Sequence, residues 1–195
     1  MRVLVTRSEL VPRLEALGHE VVFRELIRIE SLGDDPVDAS AYDWLVVTSA
    51  NGARELGRRG VTANRIAAIG PATADVLRGH GLRVDLVPRV HTQEGLRDEL
   101  TGTLLLAAAE RARRDVLDAD FVPLYRTIEL PQEVEADLAL LMSSSAVRAL
   151  RTRMAVIAMG PQTAAEAEAY GFEVVAVASP HTIDGLVDAV ASREW

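Results

Sequence analysis

The chain repeats itself. A shift of 90 positions lays residues 156–186 under residues 66–96 without a gap, and carries Gly70, Pro71, Thr73, Gly81, His91, Thr92, Gly95 and Leu96 onto Gly160, Pro161, Thr163, Gly171, His181, Thr182, Gly185 and Leu186. A duplication of this length constrains the fold strongly, because both copies must build the same elements. Each copy reads as an apolar run, a Gly-Pro corner, a helix closed by glycine, a second apolar run, and a threonine placed to cap another helix. That is a β-α-β-α unit. Upstream, DWLVVTS (residues 43–49) has a counterpart in DLALLMSSS (residues 137–145) at an offset of 94, so a loop between the paired segments has changed length by four residues.

Around the repeat, MRVLVTR reads as a buried strand, and Ser8 as the cap of a short helix that runs to Leu17 and stops at Gly18. Residues 20–29, EVVFRELIRI, alternate over more length than one strand requires, so they read as a strand plus a connector. SLGDDPVDAS then marks a boundary, with Asp34 and Asp35 in a solvated turn. Later, residues 104–108 form a strand, residues 110–117 (ERARRDVL) a helix of barely two turns, and residues 121–130 a long β segment ended by Pro131. The two long segments can pair as a two-stranded connector. On the duplication alone the chain divides near Thr101.

All 21 basic residues are arginine and cysteine is absent, which excludes a Schiff-base lysine, a P-loop, thiolate nucleophiles, thiolate metal sites and disulfides. A net charge of −8 argues against a nucleic-acid surface. No apolar run is long enough for a membrane span and no signal peptide is visible, so the expected compartment is the cytoplasm. An anionic ligand must therefore be met locally. Thr48, Ser49, Asn51 and Gly52 gather where a strand feeds a helix, and Ser143 to Ser145 do so in the second half. Caps use the same residue types, but these clusters all fall at one end of their strands, where open α/β sheets bind ligands. The Gly-Pro corners, Gly70 with Thr73 and Gly160 with Thr163, offer free N–H groups at helix starts and need no basic side chain. His91 and His181 lack ligand partners at useful spacing and read as structural.

These stretches together resemble the uroporphyrinogen-III synthase family: VLVTR, DWLVVTSANGA, IAAIGPATADVLRGHGLRV, ERARRDVL, VPLYRT, SSSAV and VIAMGPQTAAEAEAYGFEV, in that order over nearly the whole chain. The resemblance implies two flavodoxin-like α/β lobes with parallel sheets, joined by a two-stranded β connector, with the cleft between them as active site. It implies a discontinuous first lobe (1–24 and 128–195), a second lobe (38–120) and a connector (25–37 and 121–127). The implied reaction closes hydroxymethylbilane to uroporphyrinogen III, with loss of water and inversion of the last pyrrole ring, in a cytoplasmic monomer without cofactor or metal. Hydroxymethylbilane synthase is implied as a transient partner. Where the family has Phe-Thr-Ser the chain has Leu141, Met142 and Ser143, and where it often has Arg-Gly the chain has Ala108 and Ala109. An anion-binding module or an inactive structural homologue are the alternatives.

Against that chemistry the candidate substrate-binding residues are Arg7, Ser49, Asn51, Gly70, Thr73, Arg113, Ser143, Ser145, Gly160 and Thr163. Tyr125 is the candidate general acid: loss of the bilane hydroxyl needs a proton, lysine and cysteine are absent, and Tyr125 alone among the tyrosines and histidines lies on the connector.

Overall fold

The computed structural model of the protein describes residues 1–193. In chain order its elements are β1 (Arg2–Val5), a 3-10 turn (Ser8–Leu10), α1 (Val11–Glu15), β2 (Glu20–Phe23), β3 (Ile27–Ser31), β4 (Val37–Ala39), β5 (Trp44–Val47), α2 (Ala50–Arg59), β6 (Val61–Ala63), β7 (Ile66–Ala68), α3 (Pro71–Gly79) and α4 (Gln93–Glu99). They continue with β8 (Leu104–Ala109), β9 (Asp120–Glu129), β10 (Leu138–Leu141), α5 (Ser144–Ala149), β11 (Ala155–Ala158), α6 (Pro161–Ala169), β12 (Glu173–Val177) and α7 (Ile183–Ala191). The chain divides into two compact units, Met1–Arg28 with Ile128–Trp195, and Ile29–Thr127. Both divisions fall inside strands, in β3 and in β9.

The first unit holds a five-stranded parallel sheet in the order β12-β11-β10-β1-β2. Its strands are largely apolar, as a sheet buried on both faces requires, and alternation sorts them. Leu4, Ala139, Leu141 and Val156 pack with residues of α5 and α6, whereas Val3, Val5, Leu138, Leu140 and Ile157 pack with α1 and α7. Full burial of one such leucine stabilises by about 1.5–3 kcal/mol. The second unit repeats the plan in the order β3-β9-β8-β5-β7, with β9, β8, β5 and β7 parallel. There Leu45, Val47, Leu105 and Ala107 pack under α2 and α3, while Trp44, Val46, Leu104 and Leu106 face α4. Strands β4 and β6 form a separate parallel pair. Strand β3 is the hydrogen-bonded neighbour of β9. Leu32 N–H donates to Leu124 O at 3.0 Å and Leu130 N–H to Leu26 O at 2.8 Å, so position rises on one strand as it falls on the other and this pair is antiparallel.

At the helix ends the duplication reappears bond for bond. Gly81 and Gly171 have φ of +77° and +77° and donate to Arg78 O and Glu168 O, while Leu82 and Phe172 reach back to Leu77 O and Ala167 O, which closes α3 and α6 in the same Schellman turn. Thr92 caps α4 through Gly95 N–H at 3.1 Å, and Thr182 caps α7 through Gly185 N–H at 3.2 Å.

Three expectations are corrected. No helix forms over 110–117: Glu110 N–H donates to Tyr125 O, Arg113 O accepts from Gln93 Nε2, and Arg114 stacks over Phe121 at 4.7 Å. An eight-residue helix gains little on its own, so these outside partners decide. Ser8 caps nothing and lies within the 3-10 turn, because Pro12 has no N–H to return to Ser8 O; Val11 N–H takes that carbonyl instead. In the first repeat the second apolar run makes only an isolated bridge, Ala67 to Leu86, where the second repeat builds β12. Asp85 spends its carboxylate on Ile66 N–H, and Pro88 lacks the donor a ladder needs.

Candidate active site

Seven of the candidates stand at or just past the carboxyl ends of parallel strands, which is the ligand-binding end of such sheets. In the second unit Ser49 follows β5, has extended backbone, and caps α2 by accepting Gly52 N–H at 3.0 Å. Its Oγ lies 2.9 Å from the hydroxyl of Tyr125 on β9. The contact depends on an irregularity. Ala108 pairs with Pro123 but Ala109 pairs with Tyr125, so β9 skips a residue there. Strict alternation would send Leu124 and Tyr125 to opposite faces, yet both are buried in the cluster under α2 and α3. The bulge therefore aims the Tyr125 ring, 5% exposed, at the start of α2. Pro123, which cannot donate to the ladder, is the sequence signal for it.

The remaining candidates of this unit are held separately. Asn51 Oδ1, in the first turn of α2, accepts from Arg54 at 2.8 Å. Gly70 precedes α3, and a Cβ there would stand 3.4 Å from the Cβ of His91, so the exposed imidazole lies over the corner. Thr73 is buried. Arg113 is exposed and pairs with Glu94 at 2.6 Å; Glu94's own backbone N–H and then the Arg113 guanidinium hold that carboxyl below the usual range.

In the first unit Arg7 follows β1, exposed, with Glu9 at 4.0 Å. Ser143 follows β10 and caps α5 through Ala146 N–H at 3.3 Å. Ser145, in the first turn of α5, accepts from Arg148 at 3.0 Å, and Arg148 also donates to Glu129 at 2.6 Å and Glu166 at 2.9 Å. Glu129 foremost, then Glu166, raise the Arg148 pKa above its ordinary value. Sequence reading missed Arg148; its signal is the three-residue helical spacing from Ser145. Gly160 begins α6 as Gly70 begins α3, with His181 against it, and Thr163 is buried. Of all the candidates, the structure brings Ser49 and Tyr125 into direct contact. Among the described residues no group of three His, Cys, Asp or Glu side chains could hold a metal ion, and no helix is long and apolar enough to cross a membrane.

The family model described as Uroporphyrinogen-III synthase HemD matches residues 8–188. The chain belongs to the uroporphyrinogen-III synthase family. Two archaeal relatives carry the name "Putative uroporphyrinogen-III synthase". The one from Archaeoglobus fulgidus is 27% identical over 232 aligned positions that span 100% of both chains. The one from Methanothermobacter thermautotrophicus is 62% identical over 37 residues, 19% of this chain and 15% of the relative. A crystal structure of a mutant uroporphyrinogen III synthase from the extremely thermophilic bacterium Thermus thermophilus superposes with a TM-score of 0.68 at 14% identity, covering 97% of each chain, and so shares the α/β fold. Where this member of the family departs from the usual residues, Ala108 is buried in the core and Met142 packs against the cluster beside α7.

Proposed function

We propose that the protein is an active uroporphyrinogen-III synthase, a cofactor-independent lyase that closes hydroxymethylbilane with loss of water and inversion of its last ring. The observation that carries this reading is the single family match running from residue 8 to residue 188. Each unit is, on this reading, a flavodoxin-like lobe, and the antiparallel β3/β9 pair is the connector. The pyrroles supply nucleophile and electrophile, so the protein's work is to hold one folded conformation of the bilane, an orientation effect worth roughly 7–11 kcal/mol at the extreme. Its carboxylate arms suit backbone N–H groups at the starts of α3 and α6, beyond Gly70 and Gly160, and the hydroxyls of Ser143 and Ser145. Arg7, Asn51 and Arg113 add polar contacts in the same role. Tyr125 donates the proton that the departing hydroxyl needs, contributing about 10²-fold.

The test is incubation with freshly generated hydroxymethylbilane and isomer analysis of the product. The expected outcome is type III isomer formed faster than the spontaneous type I. Type I alone at the uncatalysed rate would sink the proposal and leave an anion-binding module or an inactive homologue.

A further inference from the structure

The geometry points to Ser49 as a positioning residue that acts on the substrate only through Tyr125. This rests on the proposed activity and removes Ser49 from the substrate-binding set. Its Oγ is fixed from one side by Gly52 N–H at 3.0 Å, at the first turn of the ten-residue helix α2. On the other side lies the Tyr125 hydroxyl at 2.9 Å. A serine hydroxyl has one proton and two acceptor lone pairs. With one lone pair on Gly52, the proton can still turn about Cβ–Oγ while the oxygen stays in place.

The pair therefore has two proton arrangements. In one, Tyr125 donates to Ser49 and its own proton is occupied. In the other, Ser49 donates to Tyr125, and the phenol proton is free to face the leaving group. Only the second equips Tyr125 as an acid. As the bond from the hydroxymethyl carbon to oxygen breaks, its electron pair stays on the oxygen, which takes the phenol proton and leaves as water. The carbon is met by the pyrrole nitrogen lone pair and then by the attacking pyrrole carbon. The proton released when the macrocycle closes returns to the phenolate, so the sum is bilane to uroporphyrinogen plus water.

In the interval the phenolate needs a donor. Tyr125 is 5% exposed and receives little help from water. Ser49 O–H is at hand, and Gly52 N–H, at the positive end of α2, polarises it as a donor.

The experiment compares Ser49→Ala, Ser49→Asp, Ser49→Thr and Tyr125→Phe, and the double variant Ser49→Ala with Tyr125→Phe. Asp keeps α2 capped but has no proton to give at neutral pH, which separates the donor from the cap. Ser49→Ala and Ser49→Asp should lower kcat for type III formation about ten- to a hundred-fold, the worth of one hydrogen bond to a charged group, with KM little changed. Ser49→Thr should restore it. In the Tyr125→Phe background Ser49→Ala should cost nothing further. An equal loss in both backgrounds, or a rise in KM instead of a fall in kcat, overturns the assignment.

A second arm needs no turnover. With carbon-13 at the tyrosine Cζ, the resonance that disappears in Tyr125→Phe should move in Ser49→Ala and return in Ser49→Thr. A resonance unmoved in Ser49→Ala overturns the pairing, whereas a wild-type protein that makes only type I isomer overturns the proposed activity; the two failures are seen separately.

Discussion

Asp43 sits at the opposite end of β5 from Ser49 and holds the sheet there. Its carboxylate accepts Thr103 N–H at 2.8 Å and Thr103 O–H at 3.1 Å, just before β8 begins, so it joins the starts of two adjacent parallel strands. Asp137 does the same in the first unit, accepting Arg2 N–H at 2.7 Å at the start of β1. The Thr103 N–H, then its hydroxyl, and more weakly Arg65 hold the Asp43 carboxyl below its ordinary range. A carboxyl lowered in the folded state contributes stability above its unfolded value, and that contribution is lost as pH falls through the folded one. Asp43→Asn should therefore melt at a lower temperature than wild type at neutral pH. The gap should close as the pH drops below about 4, which thermal unfolding across a pH series reads directly. A gap independent of pH would mean that shape and not charge does the work.

At the scale of elements, much of the identity between the two repeats is packing. The Thr-x-x-Gly stretch is kept because the threonine caps a helix and the glycine lets that helix approach the preceding loop: a Cβ on Gly95 would stand 2.0 Å from Val90 O, and one on Gly185 1.9 Å from Pro180 O. Backbone cannot yield as a side chain can. Gly95→Ala and Gly185→Ala should each cost about 1–3 kcal/mol or more in denaturant unfolding. Gly79, in the last turn of α3 with open space where a Cβ would go, is the internal control. Gly79→Ala should be neutral or gain about 0.5–1 kcal/mol. The same comparison shows what the sequence could convey about elements. Caps and glycine stops at Ser49, Thr92, Gly81 and Gly171 are local chemistry and are legible. The stretch 110–117 is not, because its outcome is set by Tyr125, Gln93 and Phe121, which lie elsewhere in the chain. Nor is the contact between two of the candidates: Ser49 and Tyr125 are each named by their residue types and places in the sequence, but they are 76 residues apart, and only Pro123 hints at the bulge that joins them.

On the scale of the whole molecule, the two repeats are not the two units. The duplication divides the chain near Thr101, whereas the compact units divide within β3 and within β9. The difference lies in strand pairing: β1 docks beside β10 with Val3 against Leu138 and Val5 against Leu140, and β8 docks beside β5 with Leu104 against Trp44. All of these strands are apolar runs, and periodicity says nothing about which of them pair. Each unit nevertheless has its own core, so damage should stay where it is made. Leu140 is fully buried in the first unit and Leu106 nearly so in the second. Truncation to alanine at either should cost about 2–5 kcal/mol. Amide hydrogen exchange followed by mass spectrometry should locate the loss. Leu140→Ala should speed exchange in β1, β10 and β11 and leave β5 and β8 protected, and Leu106→Ala should do the reverse. Equal loss of protection in both sheets from either substitution would show that the units unfold as one cooperative body, and that the break in contacts at β3 and β9 does not divide the protein's stability.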